Sequence, residues 1–252
     1  MSNEGQLVRK TSLPRAAWDW TLPRLPAVGE AVQDSLLMRG ARILVHLFTR
    51  ACMHWYHELR VIHPERFLDK RPAVIAPNHS SHLDTLAVLS SLPVSQMNAT
   101  CAVAARDYFF ANPALALVAR LMANGIPISR QDNSGNGLEL CAERLRGGTS
   151  LIMFPEGRRT RTGELGVFKP GAVVLSRHGR VPVVPTYIRG TRESMGWSKW
   201  FPRRERITVV FGEPLRFWEG PLADLDAKDA AKRLEDEVRR LRQQLEAEGG
   251  NG

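Results

Sequence analysis

Residues 77–84 read Pro-Asn-His-Ser-Ser-His-Leu-Asp and follow directly on the apolar run Ala73–Ala76. Two readings compete for these residue types. An imidazole is the side chain best suited to take a proton near neutral pH. It needs a partner on its second nitrogen, usually a carboxylate, to fix the tautomer and stabilise the imidazolium. His79 and Asp84 can form such a pair. Five residues apart on one straight helix they would not share a face. With His79 on an incoming loop and Asp84 in a first helical turn, the chain can fold them together. The same letters also spell an ordinary helix start, with Ser81 as N-cap and Asp84 three residues on as the far arm of a capping box. Pro77 and Asn78 are then turn residues and His79 has no task. The stretch by itself supports both.

Three further blocks bear on the choice. Gly-Ile-Pro-Ile-Ser-Arg-Gln-Asp, 125–132, places Arg130 at the end of a short apolar strand. Leu151–Gly163 runs from an apolar strand into a turn carrying Glu156, Gly157, Arg158 and Arg159. Val-Pro-Val-Val-Pro-Thr, 181–186, is a third apolar strand. Taken singly, these are a surface arginine, a turn and a buried strand. Taken together, strand ends carrying a His–Asp pair and several arginines would surround one cleft. Arginines there bind a phosphate or other compact anion through forked hydrogen bonds. A histidine base beside a bound phosphorylated alcohol suggests activation of its hydroxyl. The chain has no serine elbow, cysteine–histidine motif or glycine-rich phosphate loop. The alcohol would then be the nucleophile, with no covalent intermediate.

The elements that must position these residues follow from periodicity. Apolar, β-branched runs near 72–77, 99–105, 125–129, 149–154, 181–188 and 206–211 read as buried strands. Helical stretches near 83–91, 112–123, 136–146 and 170–179 lie between them. The expected fold is α/β, a mixed, largely parallel central sheet flanked by helices. An amphipathic helix over 36–57 precedes it, with Leu37, Ala41, Leu44, Phe48, Ala51 and Trp55 on one stripe and Arg39, Arg42, His46 and Arg50 on another. It is either a cap on the core with a solvated basic face or an interfacial helix in anionic headgroups. Leu222–Glu248 reads as a polar helix docked through Ala227, Ala231, Leu234, Val238, Leu241 and Leu245. The implied organisation is an arm and helix over 1–58, an α/β domain over 59–220 and a C-terminal helix over 221–252.

The net charge of +9 points to an anionic partner. Between Arg158 and Arg206 stand twelve Lys/Arg against three acids, an excess equal to the whole net charge. Within that stretch Trp197, Trp200 and Phe201 interleave with Lys199, Arg203, Arg204 and Arg206, a mixture suited to anionic lipid. It also suits single-stranded nucleic acid, but no nucleic-acid-binding motif accompanies it, so lipid ranks first and no nucleic-acid partner is expected. Cys52, Cys101 and Cys141 show no paired or metal-type spacing and read as reduced thiols; no metal and no cofactor are expected. No signal peptide and no spanning segment are legible.

In order and spacing the blocks resemble the 1-acylglycerol-3-phosphate acyltransferase family of glycerolipid acyltransferases. Asn78, His79, Ser81 and Asp84 match its N-H-x-S-x-x-D block, Arg130 its second, Phe154, Pro155, Glu156, Gly157 and Arg159 its third, and Pro182 and Pro185 its fourth. The resemblance implies that His79 deprotonates the acceptor hydroxyl, which attacks an acyl thioester, and that Asp84 orients His79. It places the acceptor on Asn78, Ser81, Arg130, Glu156, Gly157, Arg158 and Arg159. It implies acyl-CoA or acyl-carrier protein as donor, a lysophospholipid acceptor, and a peripheral position on the anionic cytoplasmic face of the cell membrane. Two departures are visible: Ser129 stands where the family usually has an acid, and Arg158 where it usually has a small hydroxyl residue. Both make the pocket more cationic. They leave lysophosphatidate first among acceptors, another lyso-lipid such as a lyso-aminolipid second, and a non-catalytic lipid- or anion-binding protein as the alternative class.

Overall fold

The computed structural model describes residues 36–68, 72–105, 112–128, 136–197 and 201–249. The expected N-terminal arm, Arg130, Lys199 and Trp200 lie outside these residues. The strands are β1 Arg60–Ile62, β2 Val74–Pro77, β3 Thr100–Ala105, β4 Ile126–Ile128, β5 Ser150–Ile152, β6 Val183–Arg189 and β7 Thr208–Phe211. The helices are α1 Leu36–Ala51, α2 Glu65–Leu68, α3 Leu83–Ser90, α4 Val94–Met97, α5 Pro113–Ala123, α6 Asn136–Arg146, α7 Gly171–Gly179, α8 Thr191–Met195, α9 Pro221–Asp224 and α10 Ala227–Gly249. A π-helical turn, Cys52–Tyr56, closes α1.

The strands form one sheet in the order β1-β7-β6-β2-β5-β3-β4. From β6 to β4 all neighbours are parallel, whereas β7 runs antiparallel to β6 and parallel to β1. The mixed, largely parallel α/β fold read from the sequence is the fold observed. β1 is the strand the sequence reading missed; it is three residues long, half-exposed, and has no apolar run to announce it.

Both faces of the sheet are covered, which is why its strands are apolar throughout rather than alternating. Val74 and Ala76 of β2, Leu151 of β5, Val183 and Tyr187 of β6 and Val210 of β7 point into one core, under α6, α7 and α10. Ile75, Ile152, Val184, Ile188, Val209 and Phe211 point into the other, with Leu83, Ala87, Val88 and Leu89 of α3. Ala231, Leu234, Val238, Leu241 and Leu245 of the C-terminal helix are buried in the first of these cores. The three cysteines form no disulfide with one another, and Cys101 and Cys141 lie in the core.

Helix α1 lies against α3 and α5, and its orientation differs from a simple cap on the core. Most of the cationic stripe turns inward: Arg42 and His46 are buried, with Thr49 beside them, while Arg39 stays exposed. Arg50 donates to the carbonyls of Ser90 (2.8 Å) and Leu92 (2.5 Å), which satisfies the C-terminal end of α3. The apolar stripe turns outward, with Leu44 and Phe48 each 69% exposed and Trp55 87% exposed. Ile43, Leu47, Leu117 and Val118 are also exposed. Scattered apolar residues on a surface are ordinary; a helix that presents its apolar stripe to the outside is not.

The turn from β6 into α8 is fixed by Gly190. Its φ is +94°, and a β-carbon built there would lie 2.1 Å from the carbonyl oxygen of Arg206. Replacing Gly190 with Ala should cost about 2–4 kcal/mol through combined left-handed strain and backbone collision. Urea denaturation of the purified variant measures it.

Candidate active site

Because β2, β5 and β6 are adjacent and parallel, their carboxyl ends open on one edge, where sites gather in open α/β sheets. The chain leaving β2 supplies residues 78–84, the chain leaving β5 supplies 153–169, and the chain leaving β6 supplies Gly190 and α8.

Asn78 extends the ladder one step beyond β2 with its side chain. Its Nδ2 donates to the carbonyl of Ile188 (3.0 Å) and its Oδ1 accepts from the amide of Ile188 (2.7 Å), as a strand residue would. The backbone is thereby free to turn away from the sheet, and His79 sits on that turn.

Asp84 is fully buried at the start of α3. Its Oδ2 accepts the amide N–H groups of Ser80 (2.7 Å) and Ser81 (2.8 Å) and lies 2.9 Å from His79 Nδ1. Its Oδ1 accepts from the hydroxyl of Thr191 (2.5 Å). Ser81 Oγ in turn accepts the amide of Leu83 (3.1 Å). The carboxylate that takes the amides ahead of the helix is thus the same one that holds the histidine. A carboxylate oxygen without a proton only accepts, so in this geometry Nδ1 is the donor of the pair, and Nε2 is the ring nitrogen left for another partner. The imidazole stacks on Phe154, with centroids 3.9 Å apart and planes at 21°. Its side chain keeps 16% exposure, enough to be reached from outside.

Glu156 braces the same turn. Its Oε1 accepts the amide of His79 (2.8 Å) and its Oε2 the amide of Gly166 (3.0 Å). Burial pushes its carboxyl above the usual carboxylate range, against the opposing pull of these two N–H groups. The amide of Thr160 donates to the carbonyl of His79 (2.8 Å), so the arginine-bearing turn is pinned to the histidine turn. Three residues expected on the acceptor are thus committed inside the corner instead: Asn78 to Ile188, Ser81 to Leu83 and the carbonyl of Met195, and Glu156 to His79 and Gly166. They are polar, but their polar atoms serve the backbone.

The remaining cations face outward. Gly157 is left-handed (φ +72°), and its missing side chain leaves room for Lys169, whose Nζ is 3.0 Å from where a β-carbon would stand. Arg158 is exposed and Arg159 half-buried. Trp197, read from sequence as a lipid anchor, is a platform for arginines: Arg159 Cζ is 4.5 Å and Arg161 Cζ 4.7 Å from its ring centroid. Trp197 is still 52% exposed. Sequence reasoning missed Thr160, Gly166, Lys169 and Thr191, which act through backbone position or lie far along the chain.

The chain matches the acyltransferase family over residues 58–189, a span that contains all four blocks. It belongs to that family. It is 29% identical over 166 residues to the chloroplast 1-acyl-sn-glycerol-3-phosphate acyltransferase BAT2 of Brassica napus, covering 65% of this chain and 45% of the relative. It is 27% identical over 204 residues to the human 1-acyl-sn-glycerol-3-phosphate acyltransferase beta, covering 77% of this chain and 69% of that one. The chain spans about half the length of several such relatives, 51% of the 1-acyl-sn-glycerol-3-phosphate acyltransferase of Limnanthes douglasii among them. The crystal structure of the 1-acyl-sn-glycerophosphate acyltransferase from Thermotoga maritima shares the fold, with a TM-score of 0.66 over 83% of this chain and 81% of that one at 21% identity.

Within this acyltransferase-family corner, His82 is held neutral. Burial first, then the Arg159 guanidinium and His79, push its pKa down to about 4, against the pull of Asp84. The unfolded chain takes up that proton near pH 6.5, so the histidine's contribution to stability is present above about 6.5 and is lost as pH falls towards 4. His82→Gln should therefore flatten the acid side of the stability–pH curve, measured by denaturant unfolding between pH 7 and about 4.

Proposed function

We propose that this protein transfers a fatty acyl group from an acyl thioester to the free hydroxyl of a lysophospholipid, with 1-acylglycerol-3-phosphate as acceptor and phosphatidate as product. The observation that carries this reading is the His79–Asp84 pair, with Nδ1 committed to a buried carboxylate and the imidazole still accessible. The relatives named for 1-acyl-sn-glycerol-3-phosphate support the choice of acceptor.

The chemistry then runs in one displacement. The acceptor hydroxyl gives its proton to His79 Nε2 as its oxygen bonds to the thioester carbonyl carbon. Asp84 stabilises the resulting imidazolium through Nδ1–H. The tetrahedral intermediate collapses with loss of the sulfur, and the imidazolium returns the proton to the departing thiolate. Products are the new ester and a free thiol, either CoA or acyl-carrier protein, and the enzyme is never acylated. Arg158, Arg159 and Lys169, with Arg130, supply cationic heads for the phosphate of the acceptor. Asn78, Ser81 and Glu156 shape the turn on which the base stands.

The exposed apolar stripe of α1 supports a peripheral position on an anionic bilayer, the second of the two readings of that helix. Among the described residues no helix is long and apolar enough to cross a membrane.

Thiol release from acyl-CoA and from acyl-carrier protein, with lysophosphatidate as acceptor, tests the reaction. His79→Ala should lower acceptor-dependent release by about 10²–10⁴-fold. Equal release from wild type and variant would remove His79 from the mechanism, and release only with lyso-aminolipids would move the acceptor. Replacing Leu44, Phe48 and Trp55 together with Ser should weaken binding to phosphatidylglycerol vesicles by at least about tenfold, since each side chain forfeits apolar burial. The fold should be unchanged by circular dichroism because these side chains touch little of the protein. Undiminished vesicle binding would exclude α1 as the contact.

A further inference from the structure

We infer that Thr191 is a positioning residue of this reaction, holding the Asp84 carboxylate in the rotation that serves His79; the inference rests on the reading of His79 as general base. The two carboxylate oxygens are unequally supplied. Oδ2 receives His79 Nδ1–H and the amides of Ser80 and Ser81, whereas among the described residues Oδ1 receives only the Thr191 hydroxyl. The terminal torsion of an aspartate is broad and roughly two-fold, so the residue does not fix its own plane. The plane is set by donors on both oxygens, and Thr191 is the donor at one of them.

Thr191 is itself tightly held. It is fully buried and β-branched, hence stiff at χ1. It opens α8 directly after Gly190, the residue whose backbone admits no β-carbon. The helix is tied back to the same corner by Ser81 Oγ, which donates to the carbonyl of Met195. The direction of the hydrogen bonds follows from donor counting. A threonine hydroxyl has one proton, and the carboxylate takes it. Ser80 Oγ, 3.3 Å from Thr191 Oγ1, must then be the donor to threonine. The result is a one-way chain from Ser80 to Thr191 to Asp84, in which each bond polarises the next. The segment after β6 thereby acts on a proton transfer that it never touches.

The test reads the imidazole directly. Ring-¹⁵N-labelled histidine protein, at about pH 8 where an ordinary imidazole is neutral, reports which ring nitrogen carries the proton. His79→Gln identifies the signals. Wild type should show His79 as the Nδ1–H tautomer. Thr191→Val keeps the shape and removes the hydroxyl; it should shift His79 towards the Nε2–H tautomer. It should also lower kcat by about ten- to a hundredfold with KM within about twofold, as expected for misplacement near the reacting atoms. Thr191→Ser should restore both. A Val variant that keeps the tautomer and kcat overturns the inference. If Val does not fold, Ser is compared with Ala: equal behaviour of the two means the hydroxyl does nothing, and a difference confined to Ala supports the role. The tautomer is read without substrate, so absence of acyl transfer in wild type would count against the proposed reaction and not against the clamp.

Discussion

A fully buried carboxylate must be answered by hydrogen-bond donors, and the edge of this sheet is organised around that requirement at Asp84. Two answering groups are backbone amides of the turn itself, one is the imidazole, and one is a hydroxyl from the far side of β6. Each comes from a place that the parallel order β6-β2-β5 makes adjacent. Were β6 not beside β2, Asn78 would have no Ile188 to pair with and Thr191 would not reach Asp84. The site is thus a consequence of strand order more than of any local motif.

Helix capping and proton transfer usually compete as explanations for a Ser-x-x-Asp stretch. Here the hydrogen bonds at the helix start and the hold on the imidazole are one set, and on the proposed reading that set serves both. The cap fixes the carboxylate, and a fixed carboxylate is what an imidazole needs to present a defined nitrogen. A helix start is an economical place for such a pair, since the backbone already aims N–H groups at the acid. Glu156 repeats the arrangement at the next strand end. Its two oxygens take one amide from the histidine turn and one from Gly166, which locks the β2 and β5 exits together.

The sequence made the alternation of strands and helices legible, because strands buried on both faces are written as apolar runs with polar or Gly/Pro borders. It did not make β1 legible, since an edge strand of three half-exposed residues has no such signature. For the site, the pairing of His79 with Asp84 was readable because it is local to one turn. Thr191 was not: it lies 107 residues from Asp84, and threonines before a short helix are common. Nor could residue type say where a polar side chain spends its hydrogen bonds. Asn78, Ser81 and Glu156 belong to the right corner, but they face the backbone. Trp197 likewise keeps an exposed face, yet its ring is already taken by two guanidinium groups. For α1, periodicity gave the two stripes correctly but could not give their direction, because a pattern has no inside until packing partners exist.

That direction connects the surface to the chemistry. Helix α3 is held at its first turn by Asp84 and at its last by Arg50 from α1. Eight residues at a rise of 1.5 Å make it about 12 Å long. The helix that turns its apolar stripe outward therefore grips the far end of the helix that carries Asp84. An acceptor whose acyl chain stays among lipid tails and whose phosphate lies at the headgroup level needs the base within about such a length of the interface, which is a fraction of the ~30 Å hydrocarbon thickness. A site far from the bilayer would have to extract the acyl chain into water and bear the cost of exposing each methylene, about 0.8 kcal/mol apiece. If the protein lies on a bilayer through α1, as proposed, a short, doubly anchored α3 removes that cost. On the proposed reading, the inward turn of Arg42, His46 and Arg50 has a reason: the polar side of α1 is used to fasten it to the domain, which frees its apolar side for lipid.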